Sequence, residues 1–371
     1  GRASQLVHPA PWYMGIQRSH TLVEAGTPLV KSVVAVAPTG EAVAGVPITV
    51  TLNRVQWHSV RRAEGDGFYA WQSERRVTPV SATRVTTAAQ PVAFTLAVPE
   101  GGSYEVVATA TDAGGRVSST EWEFYAMGDG YTAWARYDHQ RIDLAPEKTT
   151  WRPGESARIM VQSPWERATA LVTVERERVR SHRTFALTST QQTIDVPITE
   201  SDIPNVYVSV LLIKGRSSTD PGRDGSDPGK PAFRLGYTEL KVDDARKRLG
   251  VTVSANREEY RPAGTARVSV EVEDAAGRGA ASEVTLWAVD EGVLRLTGFD
   301  APDVLRAVYE QEPLQVMTSD SRERIVSRRV LTPKGSTDGG GGGIAADLRR
   351  DFRVLAFWLG SVETGSNGRA S

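Results

Sequence analysis

Trp151-Arg152-Pro153-Gly154-Glu155-Ser156-Ala157-Arg158 carries the reading of the fold. An aromatic residue precedes a Pro-Gly turn, and the chain then enters a run in which apolar and polar residues alternate. The same order recurs at Tyr260-Arg261-Pro262-Ala263-Gly264-Thr265-Ala266-Arg267, which leads into a strand-like run at 268–272. A fainter copy, Ala25-Gly26-Thr27, leads into 33–36, and on the same offset Gly40 aligns with Gly277, each in a turn between two strand-like runs. A turn-then-strand unit repeated at intervals of roughly 110 to 130 residues is what tandem β-sandwiches produce.

The rest of the chain agrees. Residues 48–52, 104–111, 170–174, 206–213, 251–253 and 284–289 alternate or run apolar, with Gly, Pro, Asp and Asn between them. Short β-rich runs split by turn residues predict an all-β chain of antiparallel sandwiches, not alternating βα units. The repeat gives three units, 1–128, 129–244 and 245–371, with boundaries near Met127-Gly128-Asp129-Gly130 and Asp243-Asp244. One helix is predicted, at 300–314, with Asp300 as N-cap and Pro302 in the first turn, where a missing N–H costs nothing.

Two stretches break the pattern. Residues 215–233 are rich in Gly, Pro, Ser and Asp, too polar to bury and too long for a hairpin turn, and read as a mobile loop. Residues 318–351 include Gly339-Gly340-Gly341-Gly342-Gly343, whose backbone entropy a fold does not readily offset. Strand-like sequence returns at 353–359, so the second flexible segment is inserted inside the third unit.

Composition narrows the function. With 44 Lys+Arg against 45 Asp+Glu the formal charge is -1, so no net positive field is available to hold nucleic acid or an anionic membrane. Cysteine is absent, which excludes disulfides, thiolate metal sites and cysteine nucleophiles. No apolar run approaches the ~20 residues of a membrane span. The chain opens on Gly1-Arg2-Ala3-Ser4 without Met and shows no signal-peptide pattern; with Gly-Arg-Ala-Ser also at 368–371, it reads as an excised piece.

Chemical constellations are scarce. His8, His20, His58, His139 and His182 are scattered without metal-ligand spacing, and no cofactor or metal is called for. Asp290-Glu291 follows an apolar strand, but neighbours on a strand face opposite ways, which favours a turn over a carboxylate pair. Trp57, Phe68 and Trp71 lie among Arg61, Arg62, Arg75 and Arg76. They fit a sugar-stacking surface or, equally, an arginine–aromatic ladder across facing strands. The informative feature is the second insertion, which carries Arg322, Arg324, Arg328, Arg329, Lys334, Arg349 and Arg350, with Leu331 and Leu348 open to other specificities. A protease needs about eight residues in extended form, which a solvated Gly-rich segment supplies without unfolding anything. The plain alternative is an over-long surface linker.

At these residues the chain resembles the bacterial branch of the alpha-2-macroglobulin family of protease inhibitors. The matching motifs are residues 131–143, Trp151-Arg152-Pro153-Gly154-Glu155, Ser163-Pro164-Trp165-Glu166-Arg167-Ala168 leading to Val174-Glu175-Arg176, and Ile203-Pro204-Asn205-Val206-Tyr207-Val208-Ser209-Val210. Ala288-Val289-Asp290-Glu291-Gly292-Val293-Leu294, Asp351-Phe352-Arg353 and Ala356-Phe357-Trp358-Leu359 complete the set. They cover roughly residues 130–371 in order; 1–128 matches more diffusely.

The resemblance implies three macroglobulin-like, seven-stranded sandwiches similar to fibronectin type III. It also implies a bait region at 318–350 inside the third, with the seven basic residues as cleavage candidates. Its partners would be target endopeptidases and the remaining domains of a longer parent, located in the periplasm or anchored to the inner membrane. The chain itself would not be an enzyme. The family's thioester needs a Cys, so this piece would not capture a protease covalently by itself. The family continues with further strands after Asn367-Gly368-Arg369, so the third sandwich is expected to be incomplete. Two other classes compete: a structural or adhesive sandwich repeat, and a carbohydrate-binding module built on the aromatics at 57–71.

Overall fold

The computed structural model describes residues 6–18, 20–65, 68–128, 131–219, 229–258, 265–289, 303–319 and 355–370. Two compact units divide them: residues up to Asp243 together with Gln311–Val316, and Asp244–Glu310 together with Met317 onward.

The first unit begins with β1 (Tyr13–Ile16), β2 (Leu22–Glu24), β3 (Pro28–Val36), β4 (Pro47–Gly65), β5 (Phe68–Thr86), β6 (Val92–Ala97), β7 (Gly102–Thr111) and β8 (Val117–Met127). These form a three-stranded sheet, β1-β3-β6, and a five-stranded sheet, β2-β8-β7-β4-β5. Alternation places Val33 and Ala35 of β3, Ile48, Val50 and Leu52 of β4, and Tyr104, Val106 and Ala108 of β7 in one core. Tyr104, Phe124 and Trp122 stack within it, with centroids 5.6 and 4.9 Å apart. Beyond Val55, which lies opposite Ser103 of β7, β4 and β5 continue as a two-stranded ribbon.

The unit continues with β9 (Leu144–Pro146), β10 (Thr150–Trp151), β11 (Ser156–Val161), β12 (Ala168–Glu175), β13 (Val179–Leu187), β14 (Thr193–Pro197), β15 (Asn205–Lys214) and β16 (Ala232–Val242). These make a five-stranded sheet, β10-β16-β15-β12-β13, and a three-stranded sheet, β14-β11-β9. Val206, Val208, Val210 and Leu212 of β15 are fully buried, as are Ala157, Ile159 and Met160 of β11. Ala232 and Phe233, assigned from sequence to the loop, already pair in β16, because Lys214 and Ala232 close the β15–β16 ladder. Residues 220–228 of that loop lie outside the described residues.

The structure gives the repeated motif a physical meaning. β10 pairs in parallel with β16 in one sheet, the chain turns at Pro153-Gly154, and β11 lies in the other sheet. Gly154 has φ +93°, and its N–H donates to the Ile198 carbonyl at 2.8 Å. At the fainter copy, β2 pairs in parallel with β8, Gly26 has φ +80° and donates to the Val98 carbonyl at 2.8 Å, and β3 begins in the other sheet. The motif is a sheet switch, and it needs a residue able to adopt the left-handed region. The named strands of both sandwiches otherwise pair antiparallel, with one isolated parallel bridge at Arg141↔Leu235 among the described residues. Trp151, 2% exposed, closes the second core under Lys148, whose Nζ lies 4.6 Å from the ring. The third copy, 260–264, lies outside the described residues.

The second unit holds β17 (Gly250–Ala255), β18 (Val268–Glu273), β19 (Glu283–Val289), the helical turn α1 (Val304–Val308), β20 (Leu355–Glu363) and β21 (Arg369–Ala370). Its sheets are β17-β18-β21 and β19-β20. Gly40 and Gly277 occupy equivalent tight turns, at φ +93° and +72°. The predicted helix is shorter than its sequence suggests. Asp303 caps it by accepting from the Arg306 N–H at 3.1 Å, and α1 ends at Val308; Asp300 lies outside the described residues. Sequence alone does not separate two acidic caps three residues apart.

Candidate functional site

The described chain approaches the basic Gly-rich segment along residues 311–316. Although they follow α1 directly in sequence, these residues pack on the first unit. Gln311 Nε2 donates to Glu239 of β16 at 2.8 Å. Asn205, at the start of β15 and 1% exposed, holds Glu312 by both backbone groups: its Nδ2 donates to the Glu312 carbonyl and its Oδ1 accepts from the Glu312 N–H, each at 2.9 Å. Tyr207 Oη donates to the same carbonyl at 3.2 Å, and the Gln315 N–H donates to the Arg176 carbonyl at 2.8 Å. The strap thus crosses β16, β15 and the end of β12. Four residues of extended chain reach ~14 Å, enough to pass over three strands spaced ~5 Å apart. Leu314 and Val316 are half-buried between exposed neighbours.

An ionic clamp fixes the receiving end of the sheet. Arg176 donates to the carbonyls of Ile203 and Asn205 at 3.0 and 3.1 Å and pairs with Glu177. Arg180 binds both Glu177 and Asp202 at 3.0 Å. The Glu177 backbone N–H, followed by the Arg180 and Arg176 guanidiniums, holds the Glu177 carboxyl down at about 2. Asn205 is therefore presented by a loop that two arginines tie to the β12–β13 hairpin. On the far side of the segment the chain forms β20 of the second unit, paired with β19 from Val289↔Leu355 to Glu283↔Glu363.

Known proteins place these features in a family. Residues 142–296 match the alpha-2-macroglobulin bait region domain, and residues 15–131 match bacterial macroglobulin domain 6. The alpha-2-macroglobulin homolog of Nostoc sp. is 25% identical over 358 residues, covering 95% of this chain and 19% of that protein. Alpha-2-macroglobulin of Pasteurella multocida is 23% identical, covering 97% and 19%. The chain belongs to the bacterial alpha-2-macroglobulin family. It spans about a fifth of the length of these relatives. Among solved structures, the native conformation of E. coli alpha-2-macroglobulin is 19% identical at a TM-score of 0.34, covering 100% of this chain and 24% of that one. Salmonella alpha-2-macroglobulin reacted with methylamine is 17% identical at 0.34, covering 98% and 22%.

In this macroglobulin segment the match to the bait region domain ends at residue 296, ahead of the stretch at 318–350. Arg322, Arg324, Arg328, Arg329, Lys334, Arg349 and Arg350 lie outside the described residues, as do Asp290 and Glu291; Thr318 and Ser319 are the part of the stretch that is described. Among the described residues no three His, Cys, Asp or Glu side chains group as metal ligands, and no helix is long and apolar enough to cross a membrane. Trp57 stands opposite Arg75, and Trp71 opposite Arg61, in the β4–β5 backbone register, and Arg136, from outside the ribbon, lies 5.0 Å from the Trp71 ring. Trp57, Trp71 and Arg75 also line a cavity, whose other walls come from residues far away in sequence. The strap was invisible to sequence reading, since it is gripped mainly by its own backbone groups.

Proposed function

We propose that this chain is the bait-presenting part of a bacterial macroglobulin that inhibits endopeptidases. Its three macroglobulin-like domains would be 1–128, 129–244 and 245–371, the third interrupted by a bait at 318–350. The observation that carries the reading is the anchoring of the segment's two ends. Residues 311–316 are hydrogen-bonded to one folded unit and β20 is paired within the other, while residues 318–350 between them carry seven trypsin-type sites. An attacking endopeptidase treats the segment as substrate, and the chain performs no catalysis. Scission removes a covalent restraint between elements held at either end. Neighbouring domains of the parent then move to a packing already lower in free energy, a two-state switch thrown by one cut. The chain holds no Cys, so any covalent capture belongs to other parts of the parent, and on this reading the parent works in the periplasm or at the inner membrane, as the family resemblance implies.

Limited trypsin digestion tests this reading. The first cuts are expected between Arg322 and Arg350, with the sandwiches intact on the same timescale. First cuts before residue 200 would overturn it.

A further inference from the structure

The first unit contains a cavity of about 430 Å³, within the size range of small-molecule sites. Its walls bring together Trp57 and Trp71 of the β4–β5 ribbon, Trp134 and Arg136 of the segment joining β8 to β9, Trp165 of the β11–β12 turn, and Arg234 of β16. The connecting segment is pinned in place, since the Arg136 N–H donates to Ser73 Oγ at 3.0 Å and Ser73 Oγ donates back to the Arg136 carbonyl at 2.8 Å. Trp134 is committed to structure, its Nε1 donating to the Thr190 carbonyl at 2.6 Å. Trp57 has no ring or cation partner among the described residues, which leaves its indole available to the cavity.

The charges are arranged unusually. Arg136 stacks 5.0 Å from the Trp71 ring and Arg234 5.3 Å from the Trp165 ring. Neither guanidinium has a carboxylate within ion-pair distance among the described residues. Arg75, in the same wall, is already neutralised by Glu105 and Glu123. Asp138, the acid that acts on Arg234, has its carboxylate oxygens on the Trp71 N–H at 3.2 and 3.1 Å. Burial first, and repulsion from Arg136 second, lower the pKa of Arg234. Two cations that destabilise one another beside a cavity are stabilised by an oxyanion, and guanidinium forks bind carboxylates with two parallel hydrogen bonds. Gln162, Asp143 and His139 in the same lining add hydrogen-bonding groups beside the indoles. Indole faces together with dispersed polar groups suit a polyhydroxylated ring better than a purely apolar one.

We propose that this cavity binds an acidic saccharide of one or two rings, the ring packing against the indoles and its carboxylate held by Arg136 and Arg234. The site is independent of the bait.

The test is a titration of the full chain with digalacturonic acid, followed by tryptophan fluorescence and calorimetry. The methyl ester of the same sugar and inorganic phosphate serve as comparison ligands. Saturable binding with a Kd below about 1 mM is expected, with at least about tenfold weaker binding of the ester. Arg136→Gln, Arg234→Gln and Trp57→Ala each weaken binding about tenfold or more, while Arg84→Gln on the outside of β5 does not. Circular dichroism melting checks that each variant is folded, and the ester comparison needs no variant at all. No saturation up to about 10 mM, ester or phosphate binding as tight as the acid, or equal loss in Arg84→Gln would overturn the proposal.

Discussion

Asn205 shows how much one side chain can decide near the proposed bait. An amide satisfies an N–H and a C=O of the same residue, as a neighbouring strand would, and Asn205 does this for Glu312 while almost fully buried. Asn205→Ala leaves both groups of Glu312 without that partner, and each lost bond to a buried group is worth roughly 1 kcal/mol. The expected outcome is hydrogen exchange at least about tenfold faster in peptides spanning 309–317, and new cleavage after Glu310 or Glu312 by a glutamate-specific endopeptidase. Exchange is expected to stay unchanged in β12 and β15. If the variant protects 309–317 as well as the wild type does, the strap is held by something else and Asn205 is not its anchor. The sequence could not announce this contact. Glu312 contributes only backbone, and its partner lies 107 residues away. The cavity was half legible for a similar reason: Trp57, Trp71 and Arg75 are close in sequence, but Arg136, Trp165 and Arg234 arrive through folding.

At the scale of elements, period-two patterning located part of the strands: every run named from sequence and described in the structure lies in a β-strand, but β6, β8, β13 and β14 were not read from it. Alternation within β3, β4 and β7 is the physical reason that Val33, Ala35, Ile48, Val50, Leu52, Tyr104, Val106 and Ala108 share one core. What patterning does not encode is which sheet a strand joins. The Pro-Gly motif marks where the chain crosses from one sheet to the other, but its role was legible only once β2 and β10 were seen to pair in parallel with the last strand of their own sandwich. The helix was overextended because Asp300 and Asp303 are both competent caps, and a five-residue turn leaves little periodicity to read. The switch has a measurable cost. A Cβ at Gly154 meets no atom within 4 Å, so Gly154→Ala adds no clash, and its effect reports backbone strain at φ +93° alone. A loss of roughly 1 to 2 kcal/mol is expected in denaturant unfolding, with Gly154→Asn recovering part of it because Asn tolerates the left-handed region. An unchanged midpoint in Gly154→Ala would mean the turn relaxes to another conformation and that the switch places no demand on glycine.

Across the whole molecule, the path of the chain determines what a cut in the proposed bait can and cannot release. The chain passes from the first unit to the second at Asp243–Asp244, returns at Glu310–Gln311, and leaves again at Val316–Met317. A cut between 322 and 350 therefore keeps the two units covalently joined through 243–244. The residues from 355 onward lose their covalent link to the strap. They are then retained by the pairing of β20 with β19 and of β21 with β18, and by the Arg369 guanidinium on Glu271 at 2.7 Å. That exposed ion pair adds little by itself, so the nine-residue β20 carries the association. After trypsin has cut to completion between residues 322 and 350, denaturing electrophoresis is expected to show two fragments, while size-exclusion chromatography in native buffer shows one species. Raising urea separates the fragments at a concentration below that which unfolds the first unit, because β19-β20 is a two-stranded sheet and the first unit holds two five-stranded ones. Separation in native buffer on the first cut would mean that covalent continuity through 318–350, and not strand pairing, keeps β20 in place. In that case scission would shed the downstream chain, and the cut could not act as a trigger inside one intact molecule.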